Sequence, residues 1–171
     1  DFAEAAPDRL LPVTGVPFWD MGATLAELDR CAAKGHRSMA FTQDPSYYGL
    51  PRLTDRYWDR MWASAQEKGM AVNFHIASAG LNFHDLGVPE NGERANYAMM
   101  GVNYFMANSK TISQITCGGV CHRFPKLNFV SVESGVGWIP YALECLDWQW
   151  KNCGNHEEHP DMMLPSEYFK R

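Results

Sequence analysis

Apolar residues fall into four short runs along the chain, and each run is followed by a longer stretch in which apolar residues recur at helical spacing. The runs are residues 10–18, 38–42, 71–77 and 127–133. Gly, Pro or polar residues bound them, which is typical of buried strands in a parallel sheet. Strand-helix units in succession predict an α/β fold with right-handed crossovers.

Helix signals separate the runs. Asp20 is placed to cap the first helix. Residues 94–123 carry apolar residues in helical order in two pieces, roughly 95–107 and 109–121, and predict two helices. The tail, residues 151–171, is polar and shows no evident closing element. The whole chain, residues 1–171, is expected to form a single domain.

The run AVNFHIA, residues 71–77, carries one imidazole near its carboxyl end. Val72 and Phe74 point to one face of the predicted strand, and Asn73 and His75 to the other. Ligands of parallel α/β sheets bind beyond the carboxyl ends of the strands, so His75 is a candidate for chemistry. The alternative is a hydrogen-bonded histidine of the core.

Glu133 ends the fourth run, so it is expected to share one mouth of the sheet with His75. An imidazole and a carboxylate that converge there could bind a divalent ion or serve as base and acid. The alternative for Glu133 is a charge that holds its turn through backbone N–H groups or pairs with an arginine. Two ligands are fewer than the three protein groups of a catalytic zinc site.

Two loops follow strand ends and are candidates for contacts to a substrate. Residues 43–54 contain Asp44 and Tyr48, and residues 78–92 contain His84. The alternative for the first loop is an ordinary turn with aromatic packing.

Two other clusters look superficially like metal sites. One is Cys117, Cys121 and His122, within a helical pattern; the other is Cys153, His156 and His159, where an exposed turn with two histidines is the commoner structure. The five cysteines are an odd number at irregular spacing, and they indicate reduced thiols rather than a disulfide framework.

The composition of the chain argues against some classes of binding partner. The net charge is −5 and no run of Lys or Arg occurs, which argues against nucleic-acid and anionic-membrane surfaces. No apolar run approaches the about 20 residues of a membrane span, and the first residues do not resemble a signal peptide. A cytoplasmic protein is the expectation.

Long motifs resemble the amidohydrolase-related proteins of the aminocarboxymuconate-semialdehyde decarboxylase type. They are LLPVTGVPFWD, DPSYYGLPRLTDRYWDRMWASAQEKGMAVNFHI, FPKLNFVSVESGVGWIPYALECLDWQW and the closing LPSEYFKR. The resemblance implies a (β/α)8 barrel with a divalent metal, zinc or manganese, at its C-terminal mouth. It also implies decarboxylation or hydrolysis of a small, often aromatic, carboxylic acid.

The resemblance gives individual residues a role and also shows what this chain lacks. It implies that His75 is the metal-binding histidine of the fifth barrel strand and that Glu133 stands where the family usually has its catalytic histidine. The family's first metal pair and its last aspartate have no counterpart. The four strands would be strands three to six, so the chain resembles half of a TIM-like (β/α)8 barrel, as a natural fragment or a cut gene.

Three hypotheses follow for the function. The first is a metal-dependent hydrolase or decarboxylase, with His75 as metal ligand, Glu133 as catalytic residue, and Asp44, Tyr48 and His84 as guesses for substrate contacts. The second is a non-catalytic half barrel that lacks the complete metal site. The third is a flavodoxin-like binding domain, which no Gly-rich phosphate loop supports. Because half a barrel leaves sheet edges unpaired, a homodimer is expected.

Overall fold

Four parallel strands form the only sheet in the described residues of the computed structural model, which are 2–79, 90 and 92–171. Their order is that of the sequence, β1-β2-β3-β4, and every neighbouring pair is parallel. This confirms the predicted α/β class. The strands are β1 Val13–Gly15, β2 Ser38–Phe41, β3 Ala71–His75 and β4 Phe129–Val132.

Helices follow the strands in the predicted order. Asp20 caps the first one, where its Oδ1 accepts a hydrogen bond from the backbone N–H of Ala23 at 2.9 Å. In the described part of the chain the α-helices are α1 Met21–Ala33, α2 Asp59–Glu67, α3 Glu93–Cys117, α4 Val120–Arg123, α5 Ile139–Asn152, α6 Asn155–Glu158 and α7 Pro165–Phe169. None of these helices has both the length and the apolar character that a bilayer crossing requires.

Two sequence-based predictions about helices are wrong. Residues 95–107 and 109–121 are not two helices, because α3 continues unbroken as far as Cys117 and the chain turns at Gly119, whose φ is +74°. The tail does contain a closing element, since α7 packs against α3 and α5. Asp147 of α5 accepts a hydrogen bond from the backbone N–H of Ser166 at 2.9 Å.

The two faces of the sheet differ in what covers them. Met39, Val72 and Phe74 lie on the face that the helices cover, and each is fully buried. On the opposite face the register aligns Ala40 with Asn73, and Asn73 with Val130, which is 40% exposed. That face, which also carries His75, is open in the described structure. The arrangement is that of a barrel wall whose interior side is uncovered.

A close contact at the end of α3 gives a stability prediction. A Cβ on Gly118 would overlap Cγ2 of Thr54 and would lie 2.5 Å from the backbone oxygen of Gln114. Gly118→Ala is therefore expected to lower the free energy of unfolding by about 1–3 kcal/mol. Gly101→Ala lies inside α3 with nothing within 4 Å of the added carbon, and it is expected to raise the free energy of unfolding by about 0.5–1 kcal/mol. Urea unfolding of both variants checks this, and a change of the same sign in both would contradict it.

Candidate active site

His75 and Glu133 meet at the carboxyl ends of β3 and β4. His75 pairs in register with Val132, so Glu133 is the first residue beyond the end of β4. The Nε2 atom of His75 lies 2.9 Å from Oε2 of Glu133, and the two side chains are 56% and 63% exposed. The two side chains that were expected to share one mouth of the sheet are therefore in contact there, and both are exposed.

The hydrogen bond of the other ring nitrogen of His75 determines which tautomer faces Glu133. Nδ1 lies 2.7 Å from the backbone oxygen of Ile76, and because a carbonyl only accepts hydrogen bonds, Nδ1 carries the proton and donates it. In the neutral ring, Nε2 then presents a lone pair to the Glu133 carboxylate. A proton or a cation between these two atoms satisfies both lone pairs, and a backbone-anchored Nδ1 is the usual support of a metal-binding histidine.

The backbone at Glu133 is in the left-handed region, with φ of +62°, as is Ala77 just after β3. Such a conformation costs a non-glycine residue of order 1 kcal/mol and persists where neighbouring contacts hold it. Here the next residue, Ser134, is 2% exposed, and its backbone oxygen accepts a hydrogen bond from Nε1 of Trp138 at 2.8 Å. The contact fixes the turn that carries the Glu133 side chain.

The loop after β2, where substrate contacts were expected, is tied to the loop that follows the strand of His75. The hydroxyl of Tyr48 donates to the backbone oxygen of Ser78 at 3.0 Å, which ties this loop to the one after β3. Asp44 caps the turn Pro45–Tyr48 through the Ser46 backbone and pairs with Nζ of Lys110 at 3.0 Å. Burial opposes ionisation of the Asp44 carboxyl, but the hydrogen bonds from Ser46 and Lys110 outweigh it and lower its pKa.

Other sequence candidates are not brought into this cluster. His84 lies outside the described residues. In residues 2–79, 90 and 92–171 no three His, Cys, Asp or Glu side chains are grouped as a metal site, so neither the group around Cys117 nor the one around Cys153 forms one. Burial raises the pKa of the Cys121 thiol to about 12, which suits a core residue rather than a thiolate ligand.

The donor chemistry of the pair suits a divalent ion, although two donors are fewer than such a site needs. Ligand nitrogen and oxygen atoms around tetrahedral zinc lie about 3.3 Å apart, close to the 2.9 Å between His75 Nε2 and Glu133 Oε2. A catalytic zinc site takes three protein ligands. His75 and Glu133 thus fit as two of the ligands of a divalent ion.

Sequence reasoning missed the buried polar residues beneath the pair. They are Thr42, Gln43, Asn108 and Ser134, each at most 4% exposed, together with the partly buried Ser131. One signal was present: Asn108 falls on the same helical stripe as Thr111 and Ile115, which are buried. A polar side chain on a buried stripe must find hydrogen-bond partners, and here the partners lie on the strand ends.

Solved structures share this architecture. An amidohydrolase from Mycobacterium avium subsp. paratuberculosis is similar with a TM-score of 0.68 and 25% identity, over 92% of this chain and 39% of that one. The apo form of the IDCase of Metarhizium anisopliae is similar with a TM-score of 0.71 and 18% identity, over 94% of this chain and 44% of that one. This chain therefore spans less than half of either protein. No curated protein sequence matches it.

The amidohydrolase family model matches residues 1–166, which is nearly the whole chain. The parallel strands and the open inner face of the sheet agree with that match. The chain belongs to the amidohydrolase family, and it forms part of a barrel of that family's kind.

Proposed function

We propose that this chain carries part of the active site of a metal-dependent hydrolase or decarboxylase whose substrate is a small carboxylic acid. The observation that carries the proposal is the contact between His75 and Glu133 at the carboxyl ends of adjacent parallel strands. His75 would hold zinc or manganese through Nε2. Glu133 would act as a further ligand or exchange a proton with the substrate. The bound metal would supply Lewis acidity towards a substrate oxygen.

An aromatic substrate is the class we favour. Phe18, Tyr47 and Tyr48 form a chain of edge-to-face contacts with ring centroids 5.4 Å apart, and Trp19 extends it from Phe18. Trp19, Tyr47 and Tyr48 are each more than half exposed. Tyr48 also bonds to the loop that follows the strand of His75. Exposed rings beside a catalytic mouth can stack on a flat acid.

The competing hypothesis is a half barrel without activity, and the small number of ligands favours it. The deciding experiment assays the purified chain with Zn²⁺ or Mn²⁺ against benzoic-acid derivatives, and follows both CO2 release and loss of substrate. Turnover that a chelator removes and the metal restores would support the enzyme. Metal retention without turnover of any acid in the panel would favour the half barrel.

A second copy of this chain is our proposal for what covers the open edges. Among the described residues, β1 and β4 each have one unpaired edge. A two-fold axis parallel to the strands would place β1 of each copy beside β4 of the other in parallel. Val130→Lys on β4 is expected to shift the protein towards monomer in light scattering across a concentration series. Val102→Lys, the same substitution at an exposed position of α3, is the control. A wild-type monomer at every concentration would contradict the proposal.

A further inference from the structure

Asn108 of α3 joins β3, β4 and the segment after β2 with one side chain. It is 1% exposed. Its Nδ2 donates to the backbone oxygen of Phe74 at 3.0 Å and to Oγ of Ser131 at 2.7 Å, while its Oδ1 accepts a hydrogen bond from Nε2 of Gln43. Phe74 immediately precedes His75, Ser131 lies two residues before Glu133, and Gln43 follows β2. The amide thus connects the backbone on either side of the candidate catalytic pair.

The orientation of this amide follows from its partners. The backbone oxygen of Phe74 can only accept, so the atom facing it must be the nitrogen of Asn108, which leaves Oδ1 for Gln43. Two donors and one acceptor at these positions are what a primary amide provides. Asp has no donor there when ionised, and Ala or Leu has neither donor nor acceptor.

A chain of hydroxyl groups continues from Asn108 to the residue after Glu133. Because Ser131 Oγ accepts from Asn108, its own O–H is free to donate to Ser134 Oγ, which it contacts. Ser134 Oγ in turn donates to the backbone oxygen of Gly135 at 3.4 Å. Glu133, with its left-handed backbone, lies between these anchored residues. Linked hydrogen bonds of this kind reinforce one another in a buried site.

We propose that Asn108 is a positioning residue, which sets the separation between His75 Nε2 and Glu133 Oε2 by holding the ends of β3 and β4 together from below. The inference rests on the proposed function, because its consequence is the affinity of that pair for a divalent cation. Asn108 touches neither side chain of the pair in the described contacts. It acts through Phe74 on one side and through Ser131 and Ser134 on the other.

Thr111 provides a matched control for loss of stability. It is 2% exposed, lies one turn further along α3, and its Oγ1 donates to the backbone oxygen of Gln43 at 3.3 Å. Thr111→Val removes one buried hydrogen bond and keeps the shape of the side chain, and no described hydrogen bond of Thr111 reaches β3 or β4. A purely structural role for Asn108 predicts that Asn108→Ala and Thr111→Val affect stability alone.

The test is calorimetric titration with Zn²⁺, at a temperature where every variant is folded. Asn108→Ala is expected to bind zinc about 10-fold more weakly than wild type. This is the lower end of the cost of losing a group bonded directly to a metal ligand, because Asn108 acts on the pair only through Phe74, Ser131 and Ser134. Thr111→Val is expected to stay within about twofold. Equal zinc affinities for these two variants would overturn the proposal. Ser131→Ala, which removes one link, replaces Asn108→Ala if that variant does not fold.

A second readout separates this inference from the proposed function. If wild type binds no zinc, the metal-dependent function fails, and the ring signals of His75 in NMR spectra of the metal-free protein then decide about Asn108. The positioning role predicts that Asn108→Ala shifts these signals in the direction that Glu133→Gln does, because both weaken the same contact. It also predicts that Thr111→Val leaves them in place. Unshifted His75 signals in Asn108→Ala would overturn the inference.

Discussion

His75→Ala is expected to abolish retention of a divalent cation. His75 supplies one of the two donors that meet at the ends of β3 and β4, 2.9 Å from the other. Loss of a direct ligand should weaken binding by more than the about 100-fold that loss of an outer-shell partner can cost. Glu133→Gln keeps the shape of the second donor but removes its charge, and it is expected to weaken binding as well. Metal content per chain, after soaking in zinc or manganese and desalting, measures both effects.

His122 and Asp161 provide the control for nonspecific binding. They form another His-carboxylate pair, with Nε2 of His122 3.2 Å from Oδ2 of Asp161, but they do not lie at a strand end. His122→Ala should therefore leave the retained metal unchanged. Equal loss of metal in His122→Ala and His75→Ala would mean that such pairs bind zinc adventitiously and that the pair at the strand ends has no special role.

The fold class was predictable because the apolar runs, the helical spacing between them and the handedness of the crossovers all indicated the same parallel sheet. Alternation of short apolar runs with helical spacing is a local signal, and parallel pairing follows from it through the handedness of the crossovers. The boundary near residue 108 was misplaced for a physical reason. A polar residue in a helical pattern looks like an interruption, whereas Asn108 is buried and takes its partners from the strands.

Of the candidate site, only the two exposed residues His75 and Glu133 could be predicted from the sequence. His75 and Glu133 could be found because they terminate apolar runs, and parallel strands bring their carboxyl ends to one edge. The supporting residues could not be found in this way. Ser131 and Ser134 support the site through a hydrogen bond between their hydroxyl groups across a turn. Gln43 does so through a hydrogen bond to Asn108, in a helix that begins fifty residues later in the sequence. Such pairings depend on the packed fold.

The largest stability effects are expected at the two tryptophans that pack on Phe41. Trp58 and Trp62 are fully buried, and their rings meet the Phe41 ring edge-on at centroid distances of 5.1 Å and 5.3 Å. Trp62 also contacts Phe129 of β4 at 5.8 Å, so it links α2 to two strands. Trp62→Ala is expected to lower the free energy of unfolding by about 3–5 kcal/mol, since it removes a large buried ring and leaves a cavity.

Phenylalanine substitutions at these two positions separate packing from hydrogen bonding. Nε1 of Trp58 donates to the backbone oxygens of Pro51 and Arg52 at 3.1 Å and 3.0 Å, whereas Nε1 of Trp62 has no acceptor among the described residues. Trp58→Phe removes the side-chain donor from both carbonyls, although the Arg52 oxygen keeps its hydrogen bond from the backbone N–H of Asp55. It should therefore cost about 1–3 kcal/mol more than Trp62→Phe, which removes an N–H that has no acceptor among the described residues. Paired urea unfolding curves measure the difference. Because both substitutions remove the same atoms, equal losses would show that the Trp58 hydrogen bonds do not stabilise the loop before α2.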